Sequence, residues 1–217
     1  MDYTTLIAGK STTGSIRRWV NRDSVDVEAI IPEAQEWIER TLRVREQLRR
    51  TTALVTAVGS ATVTPPVDLI SPLVWQITGP QAYGAIPKRS AFTVENSQVF
   101  TGTASQSNGR PSYYYHDETL LVLDKPADAI YTTRMLYHAK ANAIGTATTT
   151  NYLTGSYSRL FRLALMGMAN EWLKDSEQAK YWIGLADAEV SRANVAFEML
   201  QENGGLDDVM PPYWSDN

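Results

Sequence analysis

The sequence contains no cysteine and only two histidines in its 217 residues. The first absence excludes a disulfide framework, thiol redox chemistry and cysteine-based zinc sites, and it suits a reducing cytoplasm. The second leaves two imidazoles and scattered carboxylates as the inventory for acid–base or metal chemistry. No apolar run approaches the roughly 20 residues of a membrane-spanning helix. Residues 1–10 lack a charged segment followed by an apolar one, so a soluble chain without membrane association is expected. An excess of positive charge is also missing, because 20 Lys and Arg stand against 24 Asp and Glu, a net charge of −4. Duplex affinity comes mainly from neutralising phosphates, so sequence-specific or broad nucleic-acid binding is not expected. Gly-x-Ser-x-Gly, His-Glu-x-x-His and Gly-x-x-x-x-Gly-Lys-Ser are all absent, which removes the common nucleophile, zinc and phosphate motifs.

What is present is a chain long enough to bury about 70% of its unfolded surface. Ser15 precedes Ile16, Trp19 and Val20 at helical spacing, which predicts a short capped helix before the turn Asn21-Arg22-Asp23. Val27, Ile30, Ile31, Ala34, Trp37, Ile38, Leu42 and Leu48 recur with helical period, predicting an amphipathic helix as far as Arg50. Pro32 inside that pattern places the start of its main body near the proline, with a looser turn around Asp26.

After Arg50 the composition turns to Thr, Val, Pro and Tyr. Strands are expected at Ala53 to Gly59, Thr62 to Thr64, Leu73 to Thr78, Ala91 to Glu95, Ser112 to His116, Leu120 to Leu123 and Ala129 to His138. Residues 102–110 and 139–150 read as surface loops. Helical spacing returns with Tyr157, Leu160, Phe161, Ala164, Leu165, Met168, Trp172 and Leu173. A second run carries Trp182, Ile183, Ala186, Val190, Ala193, Phe197 and Leu200. Trp37, Trp172 and Trp182 lie on these stripes and read as core. The expected fold class is therefore α+β: a helical bundle of N-terminal helices plus two long antiparallel C-terminal helices, with an inserted β-sheet or sandwich module. Residues 1–50 and 151–203 would form the bundle, 51–150 the β module, and 204–217 an extended tail.

The residues able to carry chemistry admit plain structural readings. His116 and His138 sit in strand-like segments with no third ligand at a motif spacing, so no metal site is expected. Asp117-Glu118 falls at a hairpin turn, where acidic residues are common, and adjacency fixes no catalytic separation. Alternation sends Tyr113 and Tyr115 to one face of a strand and Tyr114 to the other, which favours packing over ligand stacking. No catalytic, cofactor-binding or metal residue is assigned, and no cofactor is expected. Arg40, Arg43, Arg45, Arg49 and Arg50 are interleaved with Glu33, Glu36, Glu39 and Glu46, the pattern of a solvated or subunit-bridging ion-pair face. Arg40, Arg43, Glu46 and Arg49 are taken from it as candidates for a subunit interface. In the tail, Pro211, Pro212, Tyr213 and Trp214 combine extended backbone with large aromatic area, which fits an anchor on a partner protein. A frayed end with incidental aromatics is the alternative.

Several segments, in order along nearly the whole chain, resemble the head-to-tail adaptor (connector or neck) proteins of tailed bacteriophages and prophages. They are Tyr3-x-x-Leu6, Trp19 to Asp23, Ile30-Ile31-Pro32-Glu33-Ala34 leading to Glu39-Arg40-Thr41-Leu42-Arg43, and Pro66-Val67-Asp68-Leu69-Ile70. Next come Gly109-Arg110-Pro111-Ser112-Tyr113-Tyr114, Leu120 to Pro126, Tyr131-x-x-x-Met135-x-Tyr137-His138-Ala139, and Asn151-Tyr152-Leu153 before the helix Leu160 to Leu173. The resemblance implies a structural virion protein, not an enzyme. On that resemblance it would be made in the host cytoplasm and placed in the neck, where it would form a ring, expected to be dodecameric, between the portal protein and a tail, nozzle or tail-tube protein. Genomic DNA would pass through without sequence-specific binding. Two other readings stay open: a tail-associated carbohydrate-binding or depolymerase module using Tyr113 to Tyr115 and Asp117-Glu118, and a cytoplasmic scaffold unrelated to phage.

Overall fold

The computed structural model of the protein describes residues 2–80, 84–94, 108–117 and 119–202. Helices and two antiparallel sheets give an α+β fold, as the sequence predicts. The chain divides into two compact units, Met1–Glu46 with Ala141–Asn217, and Gln47–Lys140. Each has its own hydrophobic core.

The first unit is helical: α1 (Tyr3–Ile7), α2 (Ile16–Trp19), α3 (Val27–Thr41), α4 (Tyr152–Gly155), α5 (Ser158–Trp172) and α6 (Ser176–Glu202). Short polar side chains start these helices, α5 excepted, by accepting otherwise unpaired amides. Asp2 takes the Thr5 N–H at 2.8 Å, Ser15 the Arg18 N–H at 3.2 Å, and Asp26 the Ala29 N–H at 3.2 Å. Because Asp26 caps α3 and Val27, Ile30 and Ile31 are buried, the helix runs unbroken through the exposed Pro32 instead of beginning there. Its core face is the expected stripe, with Ala34, Ile38 and the following Leu42 wholly buried among Leu160, Phe161 and Leu165.

That helix stops at Thr41, nine residues before the expected Arg50. The stop is imposed by a residue far away in sequence. Asn194 accepts the Arg43 N–H at 2.7 Å and donates to the Thr41 carbonyl at 3.0 Å. The Arg43 guanidinium turns back onto the carbonyls of Glu39 and Leu42 at 3.0 and 2.6 Å. A second polar bridge fixes the chain where it re-enters this unit. The buried Glu39 carboxylate accepts the Ala141 N–H at 2.7 Å and an amide N–H of Gln35 at 3.0 Å, and Gln35 also donates to the Ala141 carbonyl at 3.1 Å.

The second unit carries β1 (Leu48–Thr51), β2 (Thr62–Val63), β3 (Leu69–Gly79), β4 (Ala85–Ile86), β5 (Tyr114–Asp117), β6 (Leu120–Leu123) and β7 (Thr132–Ala139). Its sheets have the orders β1-β7-β3-β4 and β2-β6-β5. The stretch expected as the end of the long helix is thus a strand, Leu48 opposite His138 and Thr51 opposite Met135. Residues 53–58 are irregular instead of a strand. The buried Thr56 hydroxyl ties them down by donating to the Ala129 carbonyl at 3.0 Å and accepting the Tyr131 N–H at 2.9 Å. Residues 91–94 form a helical turn where a strand was expected, because Ser90 accepts the Thr93 N–H at 3.2 Å. Pro72 is accommodated inside β3 at a register shift between Pro72 and Val74, the usual place for a residue that cannot donate to the ladder.

The tyrosine run alternates as expected: Tyr114 is buried, while Tyr113 and Tyr115 are half-buried. Burial pushes the Tyr114 phenol up to about 12. Tyr137 and Tyr157 are also raised to about 12, first by burial, then by a hydrogen bond to the Asp68 carboxylate in one case and by the Glu46 carboxylate in the other. A raised folded-state value means that the fold favours the neutral phenol. The stability it contributes is complete below the unfolded value of 10.0 and is lost as the pH rises through about 12. Phenolate absorption is therefore expected to lag behind that of exposed tyrosines and to coincide with unfolding. Tyr137→Phe should reduce the alkaline loss of stability.

Candidate interaction surface

The helical hairpin α5–α6 is closed by Leu173-Lys174-Asp175. Lys174 adopts a left-handed conformation (φ 61°), its N–H donates to Glu171 at 2.9 Å, and Asp175 caps α6 by accepting the Gln178 N–H at 3.1 Å. The two helices approach closely at Gly167, where a Cβ would lie 2.6 Å from Ile183 Cγ1 and 3.3 Å from the Ile183 nitrogen.

On its buried side α6 presents Ala179, Ala186, Val190 and Phe197. A second apolar set lies on the opposite side of the same helix. Tyr181, Leu185, Val195 and Met199 keep between 37% (Leu185) and 57% (Tyr181 and Met199) of their surface exposed. With Ala188 and Arg192 they follow steps of four and three residues, the spacing of a coiled-coil seam, over about 27 Å of helix. An isolated exposed leucine is unremarkable; here two exposed apolar pairs, Tyr181 with Leu185 and Val195 with Met199, share one side of α6 and are separated by Ala188 and the charged Arg192. Arg192 is oriented at mid-seam by Glu189, which accepts from Arg192 and from Arg159 at 3.2 Å each, beside an open pocket of about 270 Å³.

Two further exposed tryptophans lie elsewhere in this unit. Trp19 is 49% exposed, with the Arg162 guanidinium 4.8 Å from its ring centre. Trp172, expected in the core, is 47% exposed at the end of α5, and Leu200, expected on the buried stripe, is half exposed; both lie in the last turn of their helices.

The interface candidates taken from the sequence are scattered. Arg40 is exposed and pairs with Glu36 at 2.6 Å, four residues before it. Arg43 is engaged in ending α3, and burial lowers its pKa. Glu46 accepts the Tyr157 hydroxyl at 3.1 Å within the helical unit. Arg49 is exposed on β1, in the other unit. Pro211, Pro212, Tyr213 and Trp214 lie outside the described residues, as does Glu118. His138 is buried in β7, and His116 has its pKa lowered by burial and by Lys88, with Asp117 opposing. Among the described residues no group of three or more His, Asp or Glu side chains could hold a metal ion, and no helix is long and apolar enough to cross a membrane.

A family model described as SU10 adaptor protein matches residues 1–206. The chain belongs to the SU10 adaptor protein family. No curated protein matches it. The match makes this a phage adaptor protein, a structural component of the virion. Within the adaptor, the outer seam of α6 is the feature that the sequence reading missed. Its signal is present in the sequence, because α6 carries apolar residues on two sides, and helical period alone does not say which side is covered.

Proposed function

We propose that the adaptor is one subunit of a dodecameric ring that joins the portal protein to the tail and forms part of the conduit for DNA. The observation that carries this reading is the family match along residues 1–206. Cyclic assembly needs two different, complementary faces on each subunit, since a two-fold patch closes a dimer and stops. The exposed apolar residues of the helical unit fit that need, because they fall into separate groups, the seam on α6 and the tryptophans. The net charge of −4 suits a passage through which phosphates must slide, where a basic wall would hold them. Chemistry on a substrate is no part of the reading, and the half-buried Tyr113 and Tyr115 serve packing. The tail residues Pro211, Pro212, Tyr213 and Trp214 anchor the adaptor on the portal. Deleting residues 204–217 should weaken portal binding at least tenfold, and unchanged binding would remove the tail from the account.

The role itself is tested in the phage. With the gene for this chain disrupted, filled heads and finished tails should accumulate unjoined, and supplying the protein in trans should restore infectious particles. Joined, infectious particles in its absence would refute the assignment.

A further inference from the structure

We propose that the pocket between α5 and α6 is a docking site for an acidic segment of the same chain, Leu206 to Met210, turned back along the last turns of α6. The inference concerns the single subunit and stands apart from the ring reading.

The pocket is lined by Tyr157, Leu160 and Ala193 together with the charged Arg159, Glu189 and Arg192. Two guanidiniums there share one carboxylate oxygen, because Arg159 Nε and a terminal nitrogen of Arg192 each lie 3.2 Å from Glu189 Oε1. One positive charge is left over. The arginine side chains remain 70% and 71% exposed, whereas that of Glu189 keeps only 22%. A guanidinium carries five N–H donors and pairs most strongly with carboxylates, so each arginine keeps donors for a second acid. Glu46 accepts the Tyr157 hydroxyl at 3.1 Å but does not line the pocket.

From Glu189 one line of α6 runs through Ala193 and Ala196 to Leu200, in helical steps of four, three and four. Ala196 and Leu200 are exposed, so an apolar line leads from the pocket to the end of the helix. Asp187 and Glu198 fall about half a turn away from that line. The choice of occupant comes from charge, order and reach. Residues 203–217, which follow α6, hold Asp207, Asp208 and Asp216 and neither Lys nor Arg. Going back from the end of α6, the surface offers Leu200 and then the arginines; going forward, the chain offers Leu206 and then Asp207-Asp208. The ten helical steps from Arg192 to Glu202 cover about 15 Å. Six residues, from Glu202 to Asp208, span up to about 20 Å. Gly204-Gly205 lies between them, where a tight reversal meets no Cβ penalty. Pro211 to Trp214 fall beyond the contact and are left for the portal.

The test is amide hydrogen exchange of the full chain, without its portal. Amides of residues 206–210 should exchange at least about tenfold more slowly than unstructured peptide, to the same degree at every protein concentration. Arg159→Gln with Arg192→Gln should return them to the unstructured rate, and so should Leu200→Asp on its own; all three replaced residues are exposed, so circular dichroism should stay unchanged. Arg159→Asp with Arg192→Asp should regain the protection once Asp207→Lys and Asp208→Lys are added. Exchange at the unstructured rate in the unaltered chain would overturn the contact, and so would protection that appears only on the portal. Protection that survives the arginine replacements would overturn the pocket as its site. Protection that rises with protein concentration would place the segment on a second copy and overturn docking within one chain.

Discussion

Trp75→Ala is expected to destabilise the β unit by about 3–5 kcal/mol, the usual cost of deleting a wholly buried aromatic side chain. Trp75 on β3 has no exposed surface and meets Tyr114 on β5 edge to face, ring centres 4.9 Å apart at 86°. β3 and β5 belong to different sheets, so this pair holds the two sheets of the unit together. Aromatic pairs in that geometry add about 0.5–1.5 kcal/mol beyond the area they bury. Among the described residues the buried Trp75 indole N–H has no hydrogen-bond partner. Trp75→Phe should therefore cost much less than Trp75→Ala, because it removes an unpaired donor along with part of the ring. Hydrogen exchange measured residue by residue would check this. Protection should fall across β3, β5, β6 and β7 and stay near its original level in α3, α5 and α6, which are built on a separate core. Uniform loss of protection over all strands and helices would show that the two cores do not unfold separately.

Gly167→Val should destabilise the helical unit by about 1–3 kcal/mol, the range for overpacking a tight interior. The added Cβ would lie 2.5 Å from Ile183 Cδ1 and 2.6 Å from Cγ1. The end of the isoleucine can rotate away, but its backbone nitrogen at 3.3 Å cannot move without shifting α6. Gly167→Ala is the informative control, since alanine gains about 1 kcal/mol in helix propensity while meeting the same contact. Combined with Ile183→Ala, either substitution should become less harmful, giving a coupling of at least about 0.5 kcal/mol in a double-mutant cycle of denaturant unfolding. Additive effects would mean that the helices do not touch at this point.

The fold class was legible because the governing signals are local. Ser15 begins α2, the stripe from Val27 to Leu42 faces the core, and the paired runs after Tyr157 become α5 and α6, all from spacing and caps. The errors came where a distant residue decides. Nothing near Thr41 announces the end of α3, because Asn194 supplies the partners for that end. Leu48 to Thr51 continue a helical pattern in sequence yet pair with β7, almost ninety residues later. Thr56 holds its segment by side-chain hydrogen bonds, so β-like composition there gives no ladder. The surface was less legible than the core. Charge interleaving drew attention to Arg40, Arg43, Glu46 and Arg49, but Arg43 and Glu46 are engaged within the helical unit. The seam on α6 escaped because periodicity marks which residues share a face and does not say which of two apolar faces is covered.

The most direct test of the account is the mass of the purified chain by light scattering, alone and mixed with the portal protein of the same phage, followed by imaging of the complex. The account predicts a closed ring of a single copy number seated on the portal, whether the chain arrives as a monomer or already assembled. A chain that stays monomeric and never associates with the portal would contradict it.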